Sequence, residues 1–165
     1  MTNIESGLND RKEYPLKSTE NDFDIFSLES EHLDLYFIRH FVSEMPPQEV
    51  PLSSLESQLK NQSWEDNETN SPAEVLNEYN RLSKDISLVL QEHPRWSERL
   101  QRIKQADYSY PILIYKNVVI DGLHRIVHAV MDGKQVIPAH ILTALPEGAF
   151  FANIPYEQRD KIPNS

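Results

Sequence analysis

The stretch SYPILIYKNVVIDGLHRIVHAVMDGKQVIPAHIL, residues 109–142, decides the fold. "YPILIY" and "VVI" are short apolar runs rich in β-branched and aromatic residues, which predicts two strands. Lys116-Asn117 between them predicts a short turn, and hence a hairpin. At Asp121-Gly122 the rhythm changes. Ile126, Val127, Val130 and Met131 then recur at helical spacing over 123–132, with Gly133 placed as a left-handed cap. "QVIPAHIL" predicts a further strand that closes the sheet. One strand-to-helix turn therefore carries an acid, a glycine, an imidazole and a guanidinium.

Outward from this block, "EVPLSSL" (49–55) predicts a short edge strand, where Pro51 is tolerated. "HLDLYFIRHFVSEM" (32–45) alternates at Leu33, Leu35, Phe37 and Arg39, which favours a strand over a helix, and Pro46-Pro47 ends it. Ser71-Pro72-Ala73-Glu74 has the form of a capping box. Val75, Leu76, Tyr79, Leu82, Ile86, Val89 and Leu90 then predict one amphipathic helix over 72–91. Trp96, Leu100 and Ile103 mark another at about 95–105. Arg95, Arg99 and Arg102 recur on it at steps of four and three, a pattern read as a solvated face. The expected class is α+β, a small mixed sheet with helices packed on it. A mobile acidic arm (1–24) precedes a single domain (25–145), and an extension (146–165) follows it.

Composition narrows the chemistry. The chain has 165 residues, 39% of them hydrophobic and 25% charged, which suits one folded domain. It has no cysteine, which excludes thiolate catalysis and cysteine-held zinc. Residues 1–80 hold 17 acids against 5 bases, whereas 81–165 hold 9 against 11, within a net charge of -10. A field of that sign argues against nonspecific DNA binding and against nuclease action, and leaves room for an anionic small ligand near the second half. No apolar run is long enough to span a bilayer and the N-terminus lacks the apolar block of a secretory signal, so a cytoplasmic protein is expected.

The turn has a direct chemical reading. The first amides of a helix lack intrahelical partners and sit at the positive end of its dipole, an arrangement that receives anions. Gly122 admits a ligand close to the backbone, and His124 and Arg125 add directed donors. Asp121 could cap the helix, orient its neighbours, hold a magnesium ion or activate a hydroxyl. His128 stands four residues after His124, a metal-compatible spacing, but no third ligand is near in sequence. His93, His128 and His140 read as structural.

This block resembles the core of the ParB/sulfiredoxin superfamily, in which a hairpin leads into a (D/G)-G-x-(H/R)-R turn, a helix and a closing strand. "EVPLSSL" resembles that superfamily's first strand. The resemblance implies a site for the phosphates of ATP, ADP or CTP, gripped by the turn Gly122, Leu123, His124 and Arg125. Asp121 matches the acid of the "DGHHR"-like turn of the free serine kinases, which implies Mg2+ at Asp121 and catalytic roles for Asp121 and His124. Those kinases use a glutamate just after the first strand. Glu56 or Gln58 stands there, and Glu56 is the candidate base. Sulfiredoxins carry a cysteine where this chain has Leu123, so sulfinic acid reduction is out. ParB proteins follow the core with a DNA-reading domain, and only 23 residues follow Leu142.

The expected function is therefore nucleotide-phosphate binding, with the chain read as a small-molecule phosphotransferase that acts on a small hydroxyl substrate. The alternative is a non-catalytic module that senses a ligand or contacts a protein partner. The acidic arm and the aromatics Trp64, Phe150 and Phe151, read as exposed, speak for that alternative.

Overall fold

The structure is a computed structural model that describes residues 25–28, 31–62, 64 and 71–150. The acidic arm, most of the polar 60–70 segment and Phe151 lie outside the described residues. The chain divides into two compact units, residues 1–45 with 142–165, and residues 46–141.

In the first unit, β1 (Ile25–Leu28) pairs antiparallel with β2 (Glu31–Asp34), and α1 (Leu35–Val42) follows at once. The strand expected over 32–45 thus ends at Asp34. Local chemistry decides it, because the Asp34 carboxylate accepts from the Phe37 amide at 3.0 Å and caps a helix. Leu35, Ile38 and Val42 then fall on one buried face at steps of three and four. A 3-10 turn at Glu147–Ala149 leads to Phe150, which is half-buried and bridges the backbone of Leu33.

Among the described residues the second unit holds a four-stranded sheet and five α-helices. β3 (Gln48–Pro51) is an edge strand, as expected, but it stops at Pro51 and passes into a 3-10 turn over Leu52–Leu55. β4 (Ile112–Tyr115) and β5 (Val118–Asp121) form the hairpin, joined by Lys116 and Asn117, both at positive φ. β6 (Val136–Leu142) does not close an edge: the strand order is β3-β6-β4-β5, which places β6 inside the sheet. All four residues of β4 are buried, in keeping with its unbroken apolar sequence.

α2 (Glu56–Asn61) and α3 (Pro72–Arg81) come before α4 (Ile86–Glu92), α5 (Ser97–Gln105) and α6 (Leu123–Met131). The single helix expected over 72–91 is two helices. Ser83 and Lys84 are left-handed, the Lys84 amide returns to the Tyr79 carbonyl at 2.7 Å, and Asp85 caps the next helix through the Ser87 amide. The apolar ladder survives the break because Val75, Leu76 and Val89 still enter one core with Leu100, Ile103, Ile112, Ile126, Val127 and Ile137. α3 and α5 both pack against α6, and α6 also packs against β4. Among the described residues no helix is long and apolar enough to cross a membrane.

The outer edge of β5 is covered by side chains. Gln58 accepts from the Val119 amide at 3.1 Å and donates to the Asn117 carbonyl at 2.8 Å, while Gln62 donates to the Val119 carbonyl at 3.0 Å. Two side-chain amides thus imitate the next strand on an edge that would otherwise invite pairing. Gln58→Ala should cost about 1–2 kcal/mol by stranding the part-buried Val119 N–H. A lower urea midpoint with an unchanged slope would show it.

Candidate functional site

The site is built where the hairpin turns into α6. A register shift between Leu113 and Ile114 sets Asp121 opposite Leu113 at the end of the hairpin. Gly122 follows at φ 117 as the helix N-cap, with no side-chain cap bond. A Cβ on Gly122 would come within 2.5 Å of Ile112 Cγ2, so the turn lies directly on β4. The Asp121 carboxylate meets Arg125 across one helical turn, with Oδ2 at 3.1 Å from Nη2.

Arg125 is committed on a second side as well. Its Nη1 donates to the Pro111 carbonyl at 2.8 Å and more distantly to the Tyr110 carbonyl at 3.4 Å. The guanidinium therefore ties the entry of β4 to the start of α6, and does so from the wall of a cavity. That cavity is a shallow depression, largely open to solvent, with a volume of about 550 Å3. α5 contributes Arg102 and Gln105 to its lining, the following loop Ala106, Asp107 and Tyr110, and the turn Asp121, Gly122, His124 and Arg125. Arg102 also pairs with Glu98 at 2.8 Å, in an exposed i,i+4 contact that is readily exchanged. The Ser109 hydroxyl and amide bonds hold the Asp107 carboxyl below its ordinary value, so it stays ionised.

His124 looks two ways. It lines the cavity, and its Nε2 lies 2.6 Å from Nη1 of Arg99. Trp64 holds both groups: the His124 ring stacks on the indole at 5.0 Å and 19°, and the Arg99 guanidinium lies 4.4 Å from its centroid. Neither partner was expected. Arg99, read as part of a solvated face, is buried, and so is Trp64, read as exposed. The signal for Arg99 is present in the spacing, since it stands three residues after Trp96 and four before Ile103, both buried on that same face. For Trp64 the polar neighbours on either side mask it completely.

The other candidates separate. Leu123 packs against the hydrophobic core and is not part of the cavity lining. Glu56 is exposed and also absent from that lining. Gln58, the alternative at the base position, is occupied by the β5 edge. His128 is structural: its Nδ1 bonds the Ala106 carbonyl at 2.8 Å and its Nε2 lies 3.5 Å from Asp132. His140 is buried in β6, and burial lowers its pKa from the ordinary imidazole value. Asp121 and Asp107 both line the cavity and are the carboxylates there that could hold a divalent cation, although Arg125 already meets the first and Ser109 the second.

No protein-family model, curated protein or solved structure matches this chain.

A second polar cluster involves α3 and α4. Glu78, Glu92 and His93 bring ligand-type atoms within 4.8 Å of one another. Arg81 already bridges the two carboxylates at 2.8 and 2.7 Å, and His93 meets Glu78 at 2.7 Å while stacking on Trp96. The Arg81 hydrogen bond first, then that from His93, lowers the Glu78 carboxyl to about 2, against the ordinary 4.5. A depressed carboxylate stabilises the fold fully above its unfolded value and loses that contribution as pH falls through the folded one. Urea midpoints measured between pH 5 and 2 should therefore decline less steeply in Glu78→Gln than in the native chain.

Proposed function

We propose that this chain binds the phosphate groups of a nucleotide in the cavity at the start of α6, with a ParB/sulfiredoxin-like core as its scaffold. The observation that carries this reading is the wall of that cavity. One face joins the N-terminal turn of a nine-residue helix to the guanidinium groups of Arg125 and Arg102 and to the His124 ring. Helix amides and guanidinium forks are the groups that recognise phosphate oxygens. The order hairpin, D-G-x-H-R turn, helix, strand supports the superfamily likeness.

In such a site Arg125 grips a phosphate, Arg102 exchanges its surface partner for a second, and His124 donates to a third oxygen. Asp121 and Asp107 would hold Mg2+, which neutralises phosphate charge when bound. The reaction that such a cradle serves is phosphoryl transfer to a small hydroxyl substrate, where positioning and charge neutralisation supply most of the catalysis.

A second reading, a non-catalytic ligand-sensing module, is favoured by one specific observation: Glu56 lies outside the cavity lining and Gln58 is spent on the β5 edge. One titration addresses both. The purified chain is titrated calorimetrically with ATP, ADP and CTP, with and without Mg2+, and binding mixtures are then followed by phosphorus NMR. Saturable binding supports the cradle, and its absence for all three nucleotides contradicts it. Turnover in the presence of small hydroxyl compounds supports transfer, whereas binding without turnover supports the sensing module.

A further inference from the structure

Arg99 stands behind His124, away from the residues a sequence motif would single out. Its Nη1 is 2.6 Å from His124 Nε2, a hydrogen-bond distance. A guanidinium offers only N–H donors and no acceptor. The imidazole nitrogen that faces it must therefore present a lone pair. A neutral imidazole carries one proton on one of its two nitrogens, so a lone pair at Nε2 leaves the proton on Nδ1.

The arrangement is rigid on both sides. Arg99 is 8% exposed, held on the face of α5 that also buries Trp96 and Ile103. One indole, Trp64, backs the guanidinium at 4.4 Å and the imidazole at 5.0 Å. Stacking on the indole restrains the plane of the imidazole, and the cation–π contact holds the guanidinium beside it. The donor, the acceptor and their common platform come from three different segments of the chain. Surface charge pairs do not show that construction.

We propose that Arg99 is a positioning residue for the cavity: it holds His124 as the neutral Nδ1–H tautomer. In that tautomer Nδ1 can only donate, so a ligand group that meets His124 through Nδ1 must supply an acceptor, as a phosphate oxygen does. This consequence rests on the phosphate reading above, while the tautomer itself does not. Through Nδ1 His124 cannot be the base that activates a hydroxyl, and it keeps the role of donor to the transferred group.

The test uses the full chain labelled with 15N and a long-range proton–nitrogen correlation spectrum of its imidazoles at neutral pH, with His124 assigned by comparison with His124→Gln. The expected result is a single tautomer with the protonated nitrogen at Nδ1 and the unprotonated one at Nε2. A proton on Nε2, or an average of two tautomers, overturns the proposal. In Arg99→Met, folding intact, the single signature should give way to averaged tautomers and ATP binding should weaken about tenfold, the scale of one directed hydrogen bond. Unchanged tautomer and affinity in that variant would overturn the positioning role. Should Arg99→Met fail to fold, the native spectrum still decides the tautomer. A native Nδ1–H signature in a chain that binds none of ATP, ADP or CTP would sink the phosphate reading and leave the assignment of Arg99 standing.

Discussion

Gly122→Ala is expected to lose about 2–5 kcal/mol in unfolding free energy. Two costs add. At φ 117 a side chain is strained whatever space surrounds it, and the new Cβ would stand 2.5 Å from Ile112 Cγ2 and 2.9 Å from Ile112 Cβ. Ile112 cannot retreat, because it is fully buried in β4 within the core. The third neighbour, Arg125 Nη2 at 3.3 Å, is the atom paired with Asp121, so relief in that direction disturbs the cavity wall. Urea denaturation measures the loss directly. Gly133→Ala is the control: it too sits at positive φ, 76°, but its Cβ would meet nothing within 4 Å, and it should lose only the conformational cost, about 1–2 kcal/mol.

Arg125→Met is expected to fail in two ways at once. Methionine keeps the aliphatic stem and removes the fork, so what is lost is the bond to Asp121 and those to the Pro111 and Tyr110 carbonyls. Stability should fall by about 1–3 kcal/mol, the scale of a largely buried charged partner left without its mate. ATP affinity should fall by roughly 1.5–3 kcal/mol, or at least tenfold, if the same guanidinium grips a phosphate. Sequence logic alone opposes the two outcomes: a ligand role spares the melting temperature and a structural role spares binding. The observed contacts join them, since the arginine that would hold the ligand also anchors the strand entry. Arg125→Lys sharpens the test, because an ammonium restores charge without the planar fork and should recover only part of either loss.

The legible parts of this fold were those set by local chemistry. The β4-β5 hairpin, α6 and its left-handed exit at Gly133 follow from short apolar runs, a change of period and a glycine, all within a few residues of one another. Even the Asp34 cap was open to view, but the alternating Leu33, Leu35 and Phe37 imitate a strand as well as they populate a helix, and only the cap separates the two. The break after Arg81 is of the same kind, hidden because the apolar ladder continues across it. β6 is different. Its inner place in the sheet is a long-range fact that no local pattern encodes.

The site divides along the same line. Asp121, Gly122, His124 and Arg125 are consecutive or nearly so, and their convergence is visible in a single turn. Arg102 and Asp107 reach the same cavity from α5 and the loop beyond it, and Trp64 and Arg99 reach His124 from still other segments. What tertiary packing assembles from distant segments, one-dimensional spacing does not display. Glu56 illustrates the opposite error, a residue placed by analogy of position whose side chain is solvent-exposed.

The most direct measurement is a titration of the 15N-labelled chain with ATP, followed through its backbone amide spectrum. The account predicts saturable shifts concentrated at Gly122, His124 and Arg125, with a companion response at Arg102, and their loss in Arg125→Met under conditions where that variant remains folded. Saturable binding that leaves these amides unmoved, or shifts confined to another face of the chain, would contradict it.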